Sequence, residues 1–382
     1  MNEQETLKRL RAYIDQLLDA STPENPAWNI ERQRSGKSNS WNYIDGCMIT
    51  AVLALYEITG NERYINFAGG FMDYFVNADG SINGYDPKEY NLDNVNPAKN
   101  LFVLYDYTGA ECYLRAMDTV RGQLETTPRT SAGNFWHKKI YPNQVWLDGL
   151  YMAQPFYMAY ERRFNNMRGC RDSFTQFENV ERLMRDHATG LYYHGYDESR
   201  RMYWADSDTG LSRCFWLRSL GWLVMALVDT LEVMDEQMYY EYRTMQHYLA
   251  DLVDAILPWQ QPDGMFCQLI DCPQMTENYE ETSGTAIIAY GIIKAVRLGL
   301  LPPKYRPFGE HAFYGTAQKY LSQGADGALH LGGICLVAGL GGDSHRDGSP
   351  QYYLSEPVVE NEAKGVAPML LCCTELLRDM SL

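Results

Sequence analysis

Apolar and polar positions along the chain fall into two alternating helical patterns. In the first, an apolar stripe faces a polar side. Asn61 to Val76 sets Tyr64, Phe67, Ala68, Phe71 and Phe75 on one face, and Glu111 to Leu124 does the same with Tyr113, Met117, Val120 and Leu124. Such helices meet a core on one side and water on the other. In the second, the segment is apolar nearly all round, as over Met48 to Tyr56, Gly221 to Val228, Gly284 to Ile293 and Val366 to Leu377. A helix of that kind must be covered on every side. One-sided helices are predicted near 3–19, 61–76, 111–124, 171–185, 238–257 and 311–322, and all-round helices near 41–58, 93–107, 146–162, 214–231, 284–298 and 365–378. Pro155 and Pro368 fall inside two of the latter, where a missing N–H and a ring clash favour a break. Six outer and six inner helices in strict alternation predict hairpins closed into a double ring, an all-α (α/α)6 barrel.

A slower repeat agrees. Asp79-Gly80-Ser81-Ile82, Gly133-Asn134-Phe135, Thr189-Gly190-Leu191-Tyr192, Asp263-Gly264-Met265-Phe266 and Asp326-Gly327-Ala328-Leu329 follow successive outer helices at spacings of 53 to 74 residues. That is the scale of one hairpin with its loops. An open solenoid is the alternative, although its repeats are usually shorter and more regular. With no Pro/Ser/Gly-rich linker, residues 1–382 are expected to form a single catalytic domain. The glycine-rich stretch Gly332 to Gly342 lacks Gly-Lys-Ser/Thr and is not read as a phosphate loop.

Composition narrows the partners. The chain is 46% apolar and 21% charged, with a formal net charge of −16, which excludes disorder and argues against nucleic acid. No apolar run reaches membrane-spanning length, since Ala286 to Leu301 is broken by Lys294 and Arg297. The start, Met1-Asn2-Glu3-Gln4-Glu5, shows no leader pattern. Nine scattered cysteines without Cys-x-x-Cys suit reduced thiols, so a cytoplasmic protein is expected.

Candidate chemistry gathers in two loop-rich regions. One runs from Gly133 through Trp136-His137-Lys138 to Trp146-Leu147-Asp148-Gly149. The other holds Tyr193-His194 and then Trp216-Leu217-Arg218. Five of the eight tryptophans lie in these neighbourhoods, where flat faces beside polar groups suit a sugar; the same rings also suit the filling of a wide core. Asp148 opens an apolar helix, either as a cap for the first amides or as a carboxyl group whose proton affinity burial raises. Asp93 enters the preceding inner helix in a similar way, and two such carboxyl groups suit acid/base chemistry on a sugar. Arg218, in an otherwise apolar helix, either pairs with a buried aspartate or binds the carboxylate of an acidic ligand. His137 and His194 form no zinc pattern, and no cofactor or metal is expected.

Phe135-Trp136-His137-Lys138, Tyr141-Pro142, Gln144, Trp146-Leu147-Asp148-Gly149-Leu150-Tyr151-Met152, Tyr193-His194, Trp216-Leu217-Arg218-Ser219-Leu220-Gly221-Trp222 and the run Gly339 to Pro357 resemble the unsaturated rhamnogalacturonyl hydrolases of glycoside hydrolase family 105, relatives of the unsaturated glucuronyl hydrolases. The resemblance spans roughly residues 40 to 378 and independently implies an (α/α)6 barrel. It implies that Asp148 is the catalytic acid/base and Asp93 the second active-site carboxylate. It places Trp41, Asn42, Tyr43, His137, Lys138, His194, Trp216, Arg218 and Trp222 along the substrate pocket; Asn42 stands where the family pattern carries histidine. The implied reaction hydrates the vinyl ether of a terminal 4,5-unsaturated uronic acid on a lyase-generated oligosaccharide, such as a rhamnogalacturonan fragment. A sugar epimerase on the same barrel class, a glucuronyl hydrolase acting on glycosaminoglycan-type fragments and a non-catalytic helical scaffold are the alternatives.

Overall fold

A computed structural model of the protein describes residues 3–380; Met1 and Asn2, part of the chain start read above, lie outside the described residues. Its helices, in order, are α1 (Glu3–Asp19), α2 (Ile30–Ser35), α3 (Tyr43–Thr59), α4 (Glu62–Asp73), α5 (Asn100–Thr108), α6 (Glu111–Thr126), α7 (Leu147–Phe164), α8 (Cys170–Met184), α9 (Leu217–Val233), α10 (Tyr239–Ile256), α11 (Thr282–Arg297), α12 (Arg306–Tyr320), α13 (Pro350–Ser355) and α14 (Ala363–Met380). The all-round apolar helices α3, α5, α7, α9, α11 and α14 form the inner ring. Neighbouring inner segments pack on one another, with the 3₁₀ segment Leu92–Lys99 that precedes α5 standing between α3 and α7, and α14 closes the circle against α3. The one-sided helices α1, α4, α6, α8, α10 and α12 lie outside, each against inner helices. The fold is an (α/α)6 barrel.

Three departures from the sequence reading have local causes. The inner helix expected over 93–107 is divided into a 3₁₀ segment, Leu92–Lys99, and α5, with Pro97 inside the 3₁₀ part. Proline removes an N–H and crowds the preceding turn, which favours such a change of winding. The helix expected at 311–322 begins earlier, at Arg306, with Pro307 in its first turn, where a proline N–H is not needed. By contrast α7 and α14 continue through Pro155 and Pro368. Pro155 and its neighbours in α7 are almost wholly buried, so packing on all sides holds that helix across the lost hydrogen bond.

The repeated glycines are turns of one kind. Gly80, Gly133, Gly190, Gly264 and Gly327 all have φ between +77° and +99°. At Gly264 a Cβ would also stand 2.3 Å from the His311 carbonyl oxygen, so no other residue fits. Short antiparallel pairings close around several of these turns, as at Val76 with Ile82 and Arg129 with Phe135. Two strands unseen in the sequence, β1 (Gln144–Trp146) and β2 (Gly195–Asp197), pair antiparallel with Trp146 opposite Gly195.

A backbone device repeats around the ring. The amide that opens an inner segment donates to a carbonyl from the next unit: Leu92 to His137 (3.1 Å), Leu147 to His194 (3.1 Å), Leu217 to Gln268 (3.0 Å), Thr282 to Gly333 (2.8 Å) and Ala363 to Trp28 (2.8 Å). Each bond satisfies one of the N–H groups that a helix start leaves unpaired. It also sets the rotation of that helix about its own axis.

Candidate active site

With rotation fixed in this way, the second residue of each such segment occupies an equivalent place. Those residues are Asp93, Asp148, Arg218, Ser283 and Lys364. The N-terminal end of the inner ring therefore gathers two carboxylates, a guanidinium, a hydroxyl and an ammonium.

Asp148 keeps 14% of its side chain exposed, and its Oδ2 lies 3.1 Å from His194 Nε2. The contact is close but misaligned, and neither atom has a hydrogen-bond partner of good geometry. Catalytic contacts in a free site are often loose in this way and tighten with substrate. On its other side His194 meets the Tyr353 hydroxyl, 2.7 Å from Nδ1. Burial pushes the Asp148 carboxyl up, but the imidazoles of His194 and His137 outweigh it and hold the group below the usual carboxylate range. The expectation that burial alone keeps Asp148 protonated is corrected by these two rings. The cap reading also fails, because no side-chain hydrogen bond caps α7 and Asp148 stands inside it, after the Trp146 cap position.

Asp93 is differently placed. Its Oδ2 pairs with Lys138 Nζ at 2.6 Å, while Oδ1 lies 3.6 Å from His137 Nε2. His137 is buried and stacked on Trp146 with ring centres 4.5 Å apart, and burial pushes its imidazole down to about 4. Gly149 makes this packing possible, since a Cβ there would stand 3.0 Å from His137 Nδ1. The Asp148-Gly149 pair in the sequence thus joins a functional group to the space it needs.

Arg218 is buried, donates to Ser283 Oγ (3.1 Å) and the Cys335 carbonyl, and lies 4.8 Å over the Trp216 ring. Among the described residues no carboxylate comes within ion-pair distance of it. The internal ion pair weighed above is therefore absent among the described residues. Trp216 also packs against His194, at 4.7 Å between ring centres.

The remaining predicted residues divide. Trp41 and Tyr43 line a cleft that reaches Asp93, and Tyr43 also faces the Lys364 ammonium. Asn42 borders the same cleft, but its amide is committed: Oδ1 caps α3 at Asp45 N, and Nδ2 donates to Ser40 O and Asp45 Oδ2. Trp222 is stacked on Tyr151 at 4.9 Å in the main core, so it packs the barrel and is not brought to the group around Asp148. Sequence reasoning missed Tyr353 and Lys364 and named Trp146 only among the loop-region tryptophans. Trp146 stands between His137 and Tyr141, Tyr353 holds His194, and Lys364 is paired with Glu31 (2.9 Å) and Glu362 (3.1 Å). Lys364 was findable, because Ala363-Lys364 opens its helix as Leu147-Asp148 opens α7. Among the described residues no group of three His, Cys, Asp or Glu is arranged to hold a metal ion.

The chain belongs to glycosyl hydrolase family 88, whose model matches residues 13–380. It is a glycosidase that acts on unsaturated uronyl sugars. A family 105 glycoside hydrolase from C. acetobutylicum ATCC 824 is 39% identical, covering 97% of this chain and 98% of that one with a TM-score of 0.89. The unsaturated rhamnogalacturonyl hydrolase YesR of Bacillus subtilis (strain 168) is 26% identical over 68% of this chain and 72% of its own length. The unsaturated glucuronyl hydrolase of Bacillus sp. GL1 shares the fold, with a TM-score of 0.66 at 16% identity over 90% of this chain and 88% of that one.

Proposed function

We propose that the enzyme releases a terminal 4,5-unsaturated galacturonyl residue from rhamnogalacturonan fragments, with Asp148 as acid and then base. The observation that carries the acidic substrate is Arg218, a buried guanidinium without a carboxylate partner, one inner helix away from Asp148. The likeness to YesR supports the galacturonyl and rhamnose components. Burial pushes the Tyr353 phenol well above its ordinary range, so its hydroxyl stays protonated and can donate to His194 Nδ1. Arrival of the substrate's uronate adds negative charge, which raises the proton affinity of Asp148 and favours its acid form.

In its acid form, with a proton taken up from solvent, Asp148 protonates C4 and becomes a carboxylate, leaving an oxocarbenium centre at C5 and the ring oxygen. Water adds to C5 and returns a proton to Asp148. The resulting hemiketal opens to a C5 ketone, and the hemiacetal left at C1 releases the remaining oligosaccharide as an alcohol. Asp93, ion-paired with Lys138, is assigned to hydroxyl binding on the same sugar. The epimerase alternative needs two basic histidines, whereas His137 is buried and held near 4.

We read residues 1–382 as one catalytic domain because α14 closes on α3. Among the described residues no helix is long and apolar enough to cross a membrane. All nine cysteines are free, which supports a cytoplasmic setting, and the charge of −16 disfavours nucleic acid as a partner. The test follows the enoate ultraviolet absorbance while pure enzyme acts on unsaturated galacturonyl-rhamnose and, separately, on glucuronyl disaccharides. The expected result is faster loss of absorbance with the first. Equal or faster loss with the second would reverse the sugar assignment.

A further inference from the structure

The glycine-rich stretch that resembles a phosphate loop has a different purpose in the fold. Gly339, Gly341 and Gly342 surround the guanidinium of Arg346. A Cβ at Gly339 would stand 2.5 Å from Arg346 Nη1, and one at Gly342 would stand 3.3 Å from Nη2. Arg346 Nε donates to the Gly341 carbonyl (3.0 Å), and Nη2 donates to the Tyr141 hydroxyl (2.8 Å). Gly341 and Gly342 both adopt positive φ, +68° and +76°, which brings the loop back over the side chain. Arg346 is half-buried, and among the described residues it has no carboxylate within ion-pair distance. A guanidinium held on one edge by neutral acceptors keeps its other donors for a ligand.

Its position relative to the carboxylates is fixed by a short aromatic series. His137, beside Asp93, stacks on Trp146 at 4.5 Å; Trp146 stacks on Tyr141 at 4.9 Å; the Tyr141 hydroxyl then meets Arg346. Two ring steps, each comparable to the length of one sugar, therefore separate Arg346 from the site of reaction. Arg218 within the ring and Arg346 beyond the stack are both guanidinium groups without a carboxylate at ion-pair distance among the described residues.

We propose that Arg346, set in its cradle of glycines, binds the carboxylate of a second uronic acid in the substrate, with one sugar between that residue and the unsaturated uronate. The proposal rests on the catalytic reading given above and goes beyond it. It selects oligosaccharides in which acidic and neutral sugars alternate, and it assigns the intervening sugar to the edge of the Trp146–Tyr141 stack. Lysine at this position would lack the fork that grips both oxygens of a carboxylate.

The test uses three substrates: an unsaturated disaccharide whose second sugar is neutral, the trisaccharide that adds a uronic acid, and the same trisaccharide with the added carboxyl reduced to an alcohol. Wild-type enzyme is expected to prefer the acidic over the reduced trisaccharide in kcat/KM by a factor on the order of ten, the worth of one charge-assisted hydrogen-bond pair. Added salt should erode the preference. In Arg346→Gln the ratio of acidic to reduced substrate should approach one. A wild-type enzyme that does not distinguish the two trisaccharides overturns the proposal, as does an Arg346→Gln variant that keeps the full ratio. Calorimetric binding of the same three ligands to Asp148→Asn reads the Arg346 contact separately from turnover. If nothing is hydrolysed but acidic ligand still binds more tightly, the catalytic reading fails and the subsite stands.

Discussion

The two ends of the inner ring close their charges differently. At the C-terminal end, around a cavity of about 400 Å3, Lys294 lies between Asp229 (2.7 Å) and Glu232 (2.6 Å), and Arg297 joins Glu232 (3.3 Å) to Glu375 (2.5 Å). Every one of these charges is answered from a neighbouring helix. At the N-terminal end Asp148 has only a misaligned histidine, and Arg218 has neutral acceptors. Burying an unanswered charge is expensive. The contrast lies between the paired Lys294 and Arg297 and the two groups Asp148 and Arg218, since Asp93 and Lys364 at the N-terminal end are themselves paired, with Lys138 and with Glu31 and Glu362.

The largest effect that would break this contrast concerns Asp148. Asp148→Asn keeps size and shape, so its melting temperature should change little, while turnover should fall by about two to four orders of magnitude through loss of a general acid. A variant that melts normally and works within tenfold of wild type would remove Asp148 from the chemistry. At the opposite end, Lys294→Met leaves Asp229 and Glu232 without their shared cation. Stability by denaturant titration should drop by about 3–5 kcal/mol, with kcat at low temperature unchanged. A fall in kcat at full folded fraction would show that the two ends are not independent.

Arg218→Lys is expected to act between these. It replaces a planar fork by a point charge, and kcat/KM for the unsaturated uronate should fall about tenfold or more. Unaltered kinetics would return Arg218 to a packing role. A further effect is on the pH dependence of stability. His137 is held at about 4 in the folded protein, against about 6.5 for a free imidazole. Because its folded value is depressed, its contribution to stability is present above about 6.5 and is lost as pH falls toward 4. The denaturation midpoint should therefore decline over that window, and more weakly in His137→Gln. Equal slopes for both proteins would place the proton uptake elsewhere.

The barrel was legible because burial leaves a periodic trace: one-sided stripes for helices half in water, uninterrupted apolar runs for helices covered all round. Asp148 and Arg218 were legible for the converse reason, as charges intruding on apolar helices. Tyr353 left no such trace, since an aromatic in the short helix α13 looks like any core residue until the fold carries it to His194. Lys364 was legible only by analogy, since Ala363-Lys364 opens α14 as Leu147-Asp148 opens α7. Asn42 and Trp222 show the opposite limit. Position in a motif named them, but an N-cap bond in one case and a stack on Tyr151 in the other account for their side chains.

The bond from Ala363 to Trp28 and the ion pair from Lys364 to Glu31 join segments more than three hundred residues apart. During synthesis the Trp28 carbonyl and the Glu31 carboxylate lack these two partners until α14 has left the ribosome. Five inner helices can be in place and the circle still lacks its final sector, with Tyr43 and Lys364 not yet facing each other. A nascent chain therefore carries Asp148 for a long interval before it carries a finished pocket, and the onset of catalysis reports that translation has run through α14.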